Sequence, residues 1–588
     1  MTMDENEKAD GKAGEAMQLA ANLARIEDLS ARLGAAFSQK KEIRASLQGP
    51  GPDLWSRTMG AWMNALAGDP AKLMNSQMEF WSDLLRHALE DAEEDATSDM
   101  LNLPVHTVVR AQHKAAQDAM KRALADLKGL GNKDHARVSF FANQMLELMA
   151  PRNFLVTNPE AMRRAVETKG QSLIDGLENM VNDLEAHQGE LLPTLADPNA
   201  FQIGGNLATT PGAVVFRNRM MEIIQYKACT DTVHSTPMVL FPPWINKFYI
   251  LDMKAKNSLV KWICEQGYTL FVVSWVNPDA SYRDVGIDTY IQEGFLTAID
   301  QVKKLCGVKK VNVTGYCIGG TTLSLTLALM AKRGDSSVKS ATFFTTLSDF
   351  SDPGEVGVFL DDDFVDGIEA ECQEVGYLDR LFMARTFSYL RARDLVYAPA
   401  VRNYLMGEAP PAFDLLFWND DGTNLPGRMA TEYLRYLCQK NVFAGTGFAL
   451  MGENLHLSDI TVPLCSIACE TDHIAPWKSV YKGALRMGSQ DKSFILSESG
   501  HIAGIVNPPS KKKYGHYTND AWVATPEEWQ AGARFTEGSW WERWGKWLSK
   551  HSGKKVKARP LGCRNPEQIL GPAPGEYVTQ VPARASGK

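Results

Sequence analysis

The sequence predicts an α/β fold: a mainly parallel sheet covered on both faces, preceded by an all-helical domain and interrupted by a mainly helical insertion. Three observations predict it. Residues from about 14 to 187 carry helical periodicity without strand signals. Beyond about residue 194, short apolar runs of strand character alternate with helical ones. That alternation fails between about residues 347 and 445 and then resumes.

In the N-terminal part, Leu54-Trp55, Met59, Trp62-Met63 and Leu66 recur at helical spacing, as do Met78, Trp81 and Leu84-Leu85. The acidic run Glu90 to Asp95 reads as a solvated helix end or loop. The expected boundaries are therefore a helical domain over 1–193 and a catalytic domain over 194–588. Within the latter, strands are expected at Pro237–Phe241, Thr269–Trp275, Lys310–Thr314, Lys339–Thr346, from Pro463, and at Lys492–Leu496. Helices are expected around Ser258–Glu265, Thr289–Leu305 and Thr321–Arg333. The insertion, about 347–445, is rich in aromatic residues and proline, including Phe359, Phe364, Tyr377, Phe413 and Trp418, and reads as a cap over an active-site mouth.

Composition narrows the function. At 588 residues the chain is too long for one ordinary core. Its 44% hydrophobic and 22% charged residues are those of a globular protein, and a net charge of -8 argues against nucleic acid as main partner. The polar opening Met1 to Glu7 is not read as a cleavable signal. The best apolar run, Leu323 to Met330, is too short to span a bilayer. Nine cysteines at irregular spacing suggest reduced thiols in the cytoplasm. Cys465, Cys469 and His473 stand four apart, but four-residue steps along a buried strand separate side chains too far to share an ion, so no metal is expected.

The chemistry centres on Gly315-Tyr316-Cys317-Ile318-Gly319-Gly320, between an apolar strand and a helix rich in leucine and alanine. Strand, G-x-C-x-G, helix is a nucleophile elbow with cysteine in the serine position, the signature of the α/β-hydrolase fold. A sharp turn lifts the thiol clear at a helix N-terminus, where unpaired N–H groups favour a thiolate and a neighbouring oxyanion. In that fold the nucleophile is followed by an acid and then a histidine. Asp472 and His501 occur in that order, each in a loop after a strand, with His473 a rival base. Ile318, following the nucleophile, supplies one oxyanion N–H. Pro242 and Pro243 have none, which leaves Trp244 or Ile245 for the second.

Around these residues the chain resembles the polyhydroxyalkanoate synthases, specifically the class I enzymes acting on short-chain 3-hydroxyacyl-CoA. The resemblance runs from about Asn143 to beyond Pro509. It is carried by Asn143-Gln144-Met145-Leu146-Glu147, Asn158-Pro159-Glu160, Asn206 to Gly212, Pro242-Pro243 through Asn246 to Asp252, Asn277-Pro278-Asp279, Trp418-Asn419 with Asn424-Leu425-Pro426-Gly427, and His501 to Pro509. It implies a short-chain poly(3-hydroxybutyrate) polymerase in which Cys317 carries the growing acyl chain, His501 is the base and Asp472 completes the triad. Trp418 and Asp252, within these blocks, and His473, beside Asp472, are candidate substrate-binding residues. The implied partners are (R)-3-hydroxyacyl-CoA, the growing polyester, a second copy in a homodimer and other granule-surface proteins, with no cofactor. The implied location is cytoplasmic, on the surface of polyester granules, with the N-terminal helices serving granule attachment or dimerisation. The basic run Lys511-Lys512-Lys513 reads as a solvated surface, with contact to CoA phosphates as the alternative.

Overall fold

A computed structural model describes residues 3–38, 44, 47, 54, 56–60, 63, 70–95, 104–125, 130–187 and 189–580. Trp55, Trp62 and Leu66, which entered the helical reading, lie outside the described residues. The chain forms two compact units: residues 1–197 with 385–413, and residues 198–384 with 414–588.

The first unit is built from the helices Met3–Ser38, Pro70–Asp95, Pro104–Ala125, Asn132–Leu148, Pro159–Glu167 and Gln171–Ala186. Residues 385–413, which fall inside the expected cap, belong to this unit. The physical reason is polar and close-packed. Tyr404 donates to Asp183 at 2.7 Å, Asn179 donates to the Asn403 carbonyl at 2.9 Å, and Gly176 lets the Tyr404 carbonyl approach where a Cβ would collide. These pairs join positions more than two hundred residues apart, and no local pattern announces them.

The second unit is organised by an 11-stranded mixed sheet. Eight strands form its body: β1 Gly212–Arg217, β2 Met221–Tyr226, β3 Met238–Phe241, β4 Leu270–Trp275, β5 Val311–Tyr316, β6 Val338–Phe344, β7 Leu464–Cys469 and β8 Lys492–Ser497. In space they run β1-β2-β4-β3-β5-β6-β7-β8. The six from β4 to β8 are parallel; β1 and β2 are antiparallel additions. Strands β2, β4, β5 and β7 are buried along their whole length, β2 and β5 with polar residues (Glu222, Gln225, Asn312, Thr314) among their apolar ones. Beyond β8 lie two short antiparallel strands, His516–Thr518 and Arg534–Thr536, and beyond β1 lies Gly571–Pro572.

Helix Leu259–Glu265 is capped by the Ser258 hydroxyl, and Thr297–Cys306 ends on Gly307 in the left-handed conformation. The expected single helix over Thr289–Leu305 is in fact a π-helical stretch, Tyr290–Leu296, followed by the α-helix. In the insertion the second unit contributes helices Asp362–Val375 and Asp414–Asp420 and a short pairing of Tyr377–Leu378 with Leu425–Pro426. Among the described residues no helix is long and apolar enough to cross a membrane.

Candidate active site

Strand β5 lies between β3 and β6, with Gly315 opposite both Phe241 and Phe343. It delivers the chain directly into helix Ile318–Lys332, with Cys317 at the N-cap. Cys317 has φ 53° and ψ -124°, a conformation that costs a non-glycine residue about 1–3 kcal/mol and persists only because its neighbours impose it. Two glycines make the turn possible. A Cβ on Gly319 would meet the Pro242 carbonyl oxygen at 2.5 Å, and one on Gly320 would run into the Thr346 side chain. The loop after β3 is therefore seated against the first turn of the elbow helix.

Asp472 and His501 come from the loops after β7 and β8, adjacent parallel strands whose ends lie at the same sheet edge as the elbow. His501 Nδ1 meets Asp472 Oδ2 at 2.7 Å. The other carboxylate oxygen, Oδ1, accepts from the backbone N–H groups of Ile474 and Ala475, both at 2.8 Å, which fixes the plane of the acid. Both side chains are buried, whereas Cys317 is half-buried. Burial alone would drive the proton off His501. The Asp472 charge and the charge and hydrogen bond of Cys317 outweigh it, so the imidazole is held protonated well above the ordinary histidine range. A thiol, a histidine and a buried acid are thus in line, with the ring oriented by its acid.

His473 does not take the rival position: Asp472 receives the ring of His501 instead, and His473 is half-buried beside it. Ile318 is the first helical residue after Cys317, where the helix supplies no acceptor for its N–H. Trp244 is pinned beside it, its indole donating to Thr322 of the elbow helix at 3.1 Å and its carbonyl accepting from Thr423 at 2.7 Å.

The remaining two candidates have structural attachments. Asp252 is buried, with its carboxylate taken by the hydroxyls of Thr210 at 2.5 Å and Ser258 at 2.6 Å. Burial nevertheless pushes its pKa up to about 6. Its oxygens hold the chain before β1 to the start of helix Leu259–Glu265. Trp418 is buried too, and its indole donates to the Lys247 carbonyl at 2.7 Å. It anchors the insertion to the loop after β3. Cys465 and Cys469 are interior to β7, and burial pushes the Cys465 thiol up to about 12.

Three further groups escaped the reading of the sequence. Tyr316 stacks on the His501 ring at 5.7 Å and donates its hydroxyl to the His501 carbonyl at 3.1 Å. Trp540 and Trp541 donate to the carbonyls of Gly504 and Ile505 at 2.7 and 2.9 Å, tying down the loop that carries His501. Tyr433, from the insertion, lies edge-on to Trp244 at 5.5 Å; burial, then Cys438 and Cys317, push its hydroxyl well above the usual phenol range. Tyrosine inside the elbow and the run Ser539-Trp540-Trp541-Glu542-Arg543-Trp544 were visible signals, but their targets lie far away in sequence.

Comparison with known proteins decides the family. The family described as alpha/beta hydrolase fold matches residues 238–508, and that described as Poly-beta-hydroxybutyrate polymerase (PhaC) N-terminus matches residues 96–263. A poly(3-hydroxyalkanoate) polymerase subunit PhaC of Rhizobium meliloti is 38% identical over 91% of this chain and 85% of its own length. The chain belongs to the poly(3-hydroxyalkanoate) polymerase family. Another member, from Cupriavidus necator, is 40% identical over 88% of this chain and 90% of its own length. The polymerase of Methylorubrum extorquens is 40% identical over 81% of this chain and 78% of its own. Membership makes the protein an acyl-transferring enzyme of the α/β-hydrolase fold.

Proposed function

We propose that this chain polymerises (R)-3-hydroxyacyl-CoA, chiefly the short-chain 3-hydroxybutyryl-CoA, into polyester with release of CoA, as a class I enzyme. The observation that carries the reading is the line of Asp472, His501 and Cys317 at a strained elbow. The Cys317 thiolate attacks the thioester carbon, and the N–H groups of Ile318 and Trp244 receive the developing oxyanion. As the tetrahedral centre collapses, the CoA sulfur leaves with the proton held on His501, and the acyl group remains on Cys317 as a thioester. Exchange between two thioesters is nearly balanced, which suits a thiol carrier; a serine ester would be too stable to keep passing the chain.

The second half-reaction needs His501 to change role. Cys317 is one of the groups holding its proton. Once the sulfur is acylated, that charge is gone and burial pulls the imidazole towards neutrality. His501 then takes the proton of a 3-hydroxyl group, whose oxygen attacks the acyl-Cys317 carbonyl, forming the ester and freeing the thiol. Asp472 keeps the ring oriented throughout.

Water is the competing nucleophile. Aromatic side chains around the elbow, including Phe350, Trp244 and Tyr433, support exclusion of water by the insertion. The reading extends to a cytoplasmic enzyme on granule surfaces, acting as a homodimer, on the strength of the resemblance alone.

Incubation of the purified chain with (R)-3-hydroxybutyryl-CoA tests the proposal. Insoluble polyester accompanying CoA release is expected, and Cys317→Ala should abolish both. Stoichiometric release of soluble 3-hydroxybutyrate would identify a cysteine hydrolase instead.

A further inference from the structure

The C-terminal segment after helix Trp541–Lys550 is a strap bound along the β1–β2 side of the sheet. Arg559 donates to the Ser235 carbonyl at 2.7 Å and to the Thr269 hydroxyl at 3.0 Å. The buried Gln225 grips it with both ends of its amide, donating to the Pro560 carbonyl and accepting from the Gly562 N–H, each at 2.8 Å. Farther on, Gly571–Pro572 pairs with β1, and the buried Glu222 accepts from the N–H groups of Glu576 and Tyr577 at 3.0 Å. Between these grips lies Cys563, in the left-handed conformation at φ 51°. Its sulfur stands 3.5 Å from that of Cys306, the last residue of helix Thr297–Cys306, 257 positions away in sequence. Both residues are buried, and neither belongs to the acyl-transfer machinery.

We propose that Cys306 and Cys563 are a modification site, a thiol pair that hydrogen peroxide converts to a reversible disulfide fastening the C-terminal strap to the core. A disulfide needs about 2.05 Å between sulfurs, so the two atoms must close by about 1.5 Å from contact distance. Chemical asymmetry favours Cys563 as the attacking sulfur. Its contact with Cys306 lowers its pKa; burial opposes this, and Arg559 and Arg564 add to the lowering. The same contact, with burial, pushes the Cys306 thiol up. Gly307 belongs to this arrangement, because a Cβ there would collide with the Arg564 guanidinium.

The chemistry balances in two steps. The Cys563 thiolate attacks one peroxide oxygen, the O–O bond breaks, and protonation of the leaving oxygen yields water and a sulfenic acid on Cys563. The Cys306 sulfur then attacks that sulfur, the S–O bond breaks, and a second water leaves. Two thiols have been oxidised by two electrons and the peroxide reduced by two; a dithiol reductant reverses the change.

The test uses the full chain carrying Cys317→Ala, so that the active thiol does not consume oxidant. After limiting hydrogen peroxide, alkylation and tryptic digestion without reductant, the expected product is peptide 305–309 linked to peptide 558–564, with loss of two titratable thiols. Dithiothreitol should restore both thiols, and Cys563→Ser in the same background should give no link at residue 306. The oxidised strap should also resist protease longer than the reduced one. Recovery of both residues as separate alkylated peptides while other thiols are oxidised would overturn the proposal, as would peroxide products that dithiothreitol does not reverse. Either result leaves the acyl-transfer reading unaffected.

Discussion

At the residue scale, the proton on His501 is the feature from which most follows. Its pKa is raised in the folded chain, so the stability this proton contributes is fully present below about pH 6.5, the unfolded value, and is lost as pH rises through the raised folded value. Urea unfolding of the full chain should therefore show stability falling from neutral towards alkaline pH. Asp472→Asn removes the charge that outweighs burial and should flatten that dependence. The same substitution should cut polymerisation by about 10³-fold or more, because the ring loses its orientation and its counter-charge. An unchanged pH slope in the variant would assign the proton to other groups. Tyr316→Phe is the gentler probe: it removes one hydrogen bond to the His501 carbonyl and leaves the stacked ring. A loss of about 1 kcal/mol in stability is expected, with turnover down by a few fold at unchanged KM.

At the element scale, the elbow and the His501 loop are positioned by different means. The elbow is held by close approach of backbones, so Gly319→Ala should be felt at once at the Pro242 carbonyl. A cost of about 1–3 kcal/mol is expected from the forced shift, together with loss of activity as the loop bearing Trp244 moves away. Thermal unfolding alongside initial rates checks both. The His501 loop is held by two indole N–H groups from the tryptophan-rich C-terminal helix and the residue before it. Trp541→Phe keeps an aromatic ring in the core but loses volume and strands the Ile505 carbonyl, which costs about 1–3 kcal/mol. Activity should fall without any change in alkylation of Cys317 by iodoacetamide, since the thiol itself is not moved. Equal loss of thiol reactivity would place the helix's influence on the elbow instead. The elbow was legible in the sequence because strand, turn glycines and helix are contiguous. The tryptophan anchors were not, because an indole's acceptor lies some thirty-six residues away along the chain.

At the scale of the whole molecule, the division into units does not follow chain order. Residues 385–413 belong with the N-terminal helices, through pairs such as Tyr404 with Asp183 and Asn179 with Asn403. A fragment beginning at residue 198 would keep that segment and lose its partners. Such a fragment should unfold at a lower temperature than the full chain and should self-associate in size-exclusion chromatography. A fragment as stable as the full chain would show that the segment finds other cover. Shortening the insertion within residues 414–445 asks a different question of the catalytic unit: soluble 3-hydroxybutyrate should rise relative to polyester if these residues exclude water, and unchanged partitioning would remove that role.

What is local or strictly ordered along the chain is legible in the amino-acid pattern. The parallel strands appear as short, mainly apolar runs of strand character, and Cys317 is marked by the glycines around it. The acid and histidine appear after the correct strands because chain order in a parallel sheet dictates which loops share an edge. Which histidine meets Asp472 is set by packing, since His473 and His501 are both suitable in type and order. Tertiary structure likewise gave Asp252 and Trp418 their partners at Thr210, Ser258 and Lys247, brought Cys563 to Cys306, and joined residues 385–413 to helices two hundred positions earlier. The reason is common to all four. Strand and turn signals depend on a residue's immediate neighbours, whereas the partner of a buried polar group is set by whatever the packed chain places within about 3 Å of it.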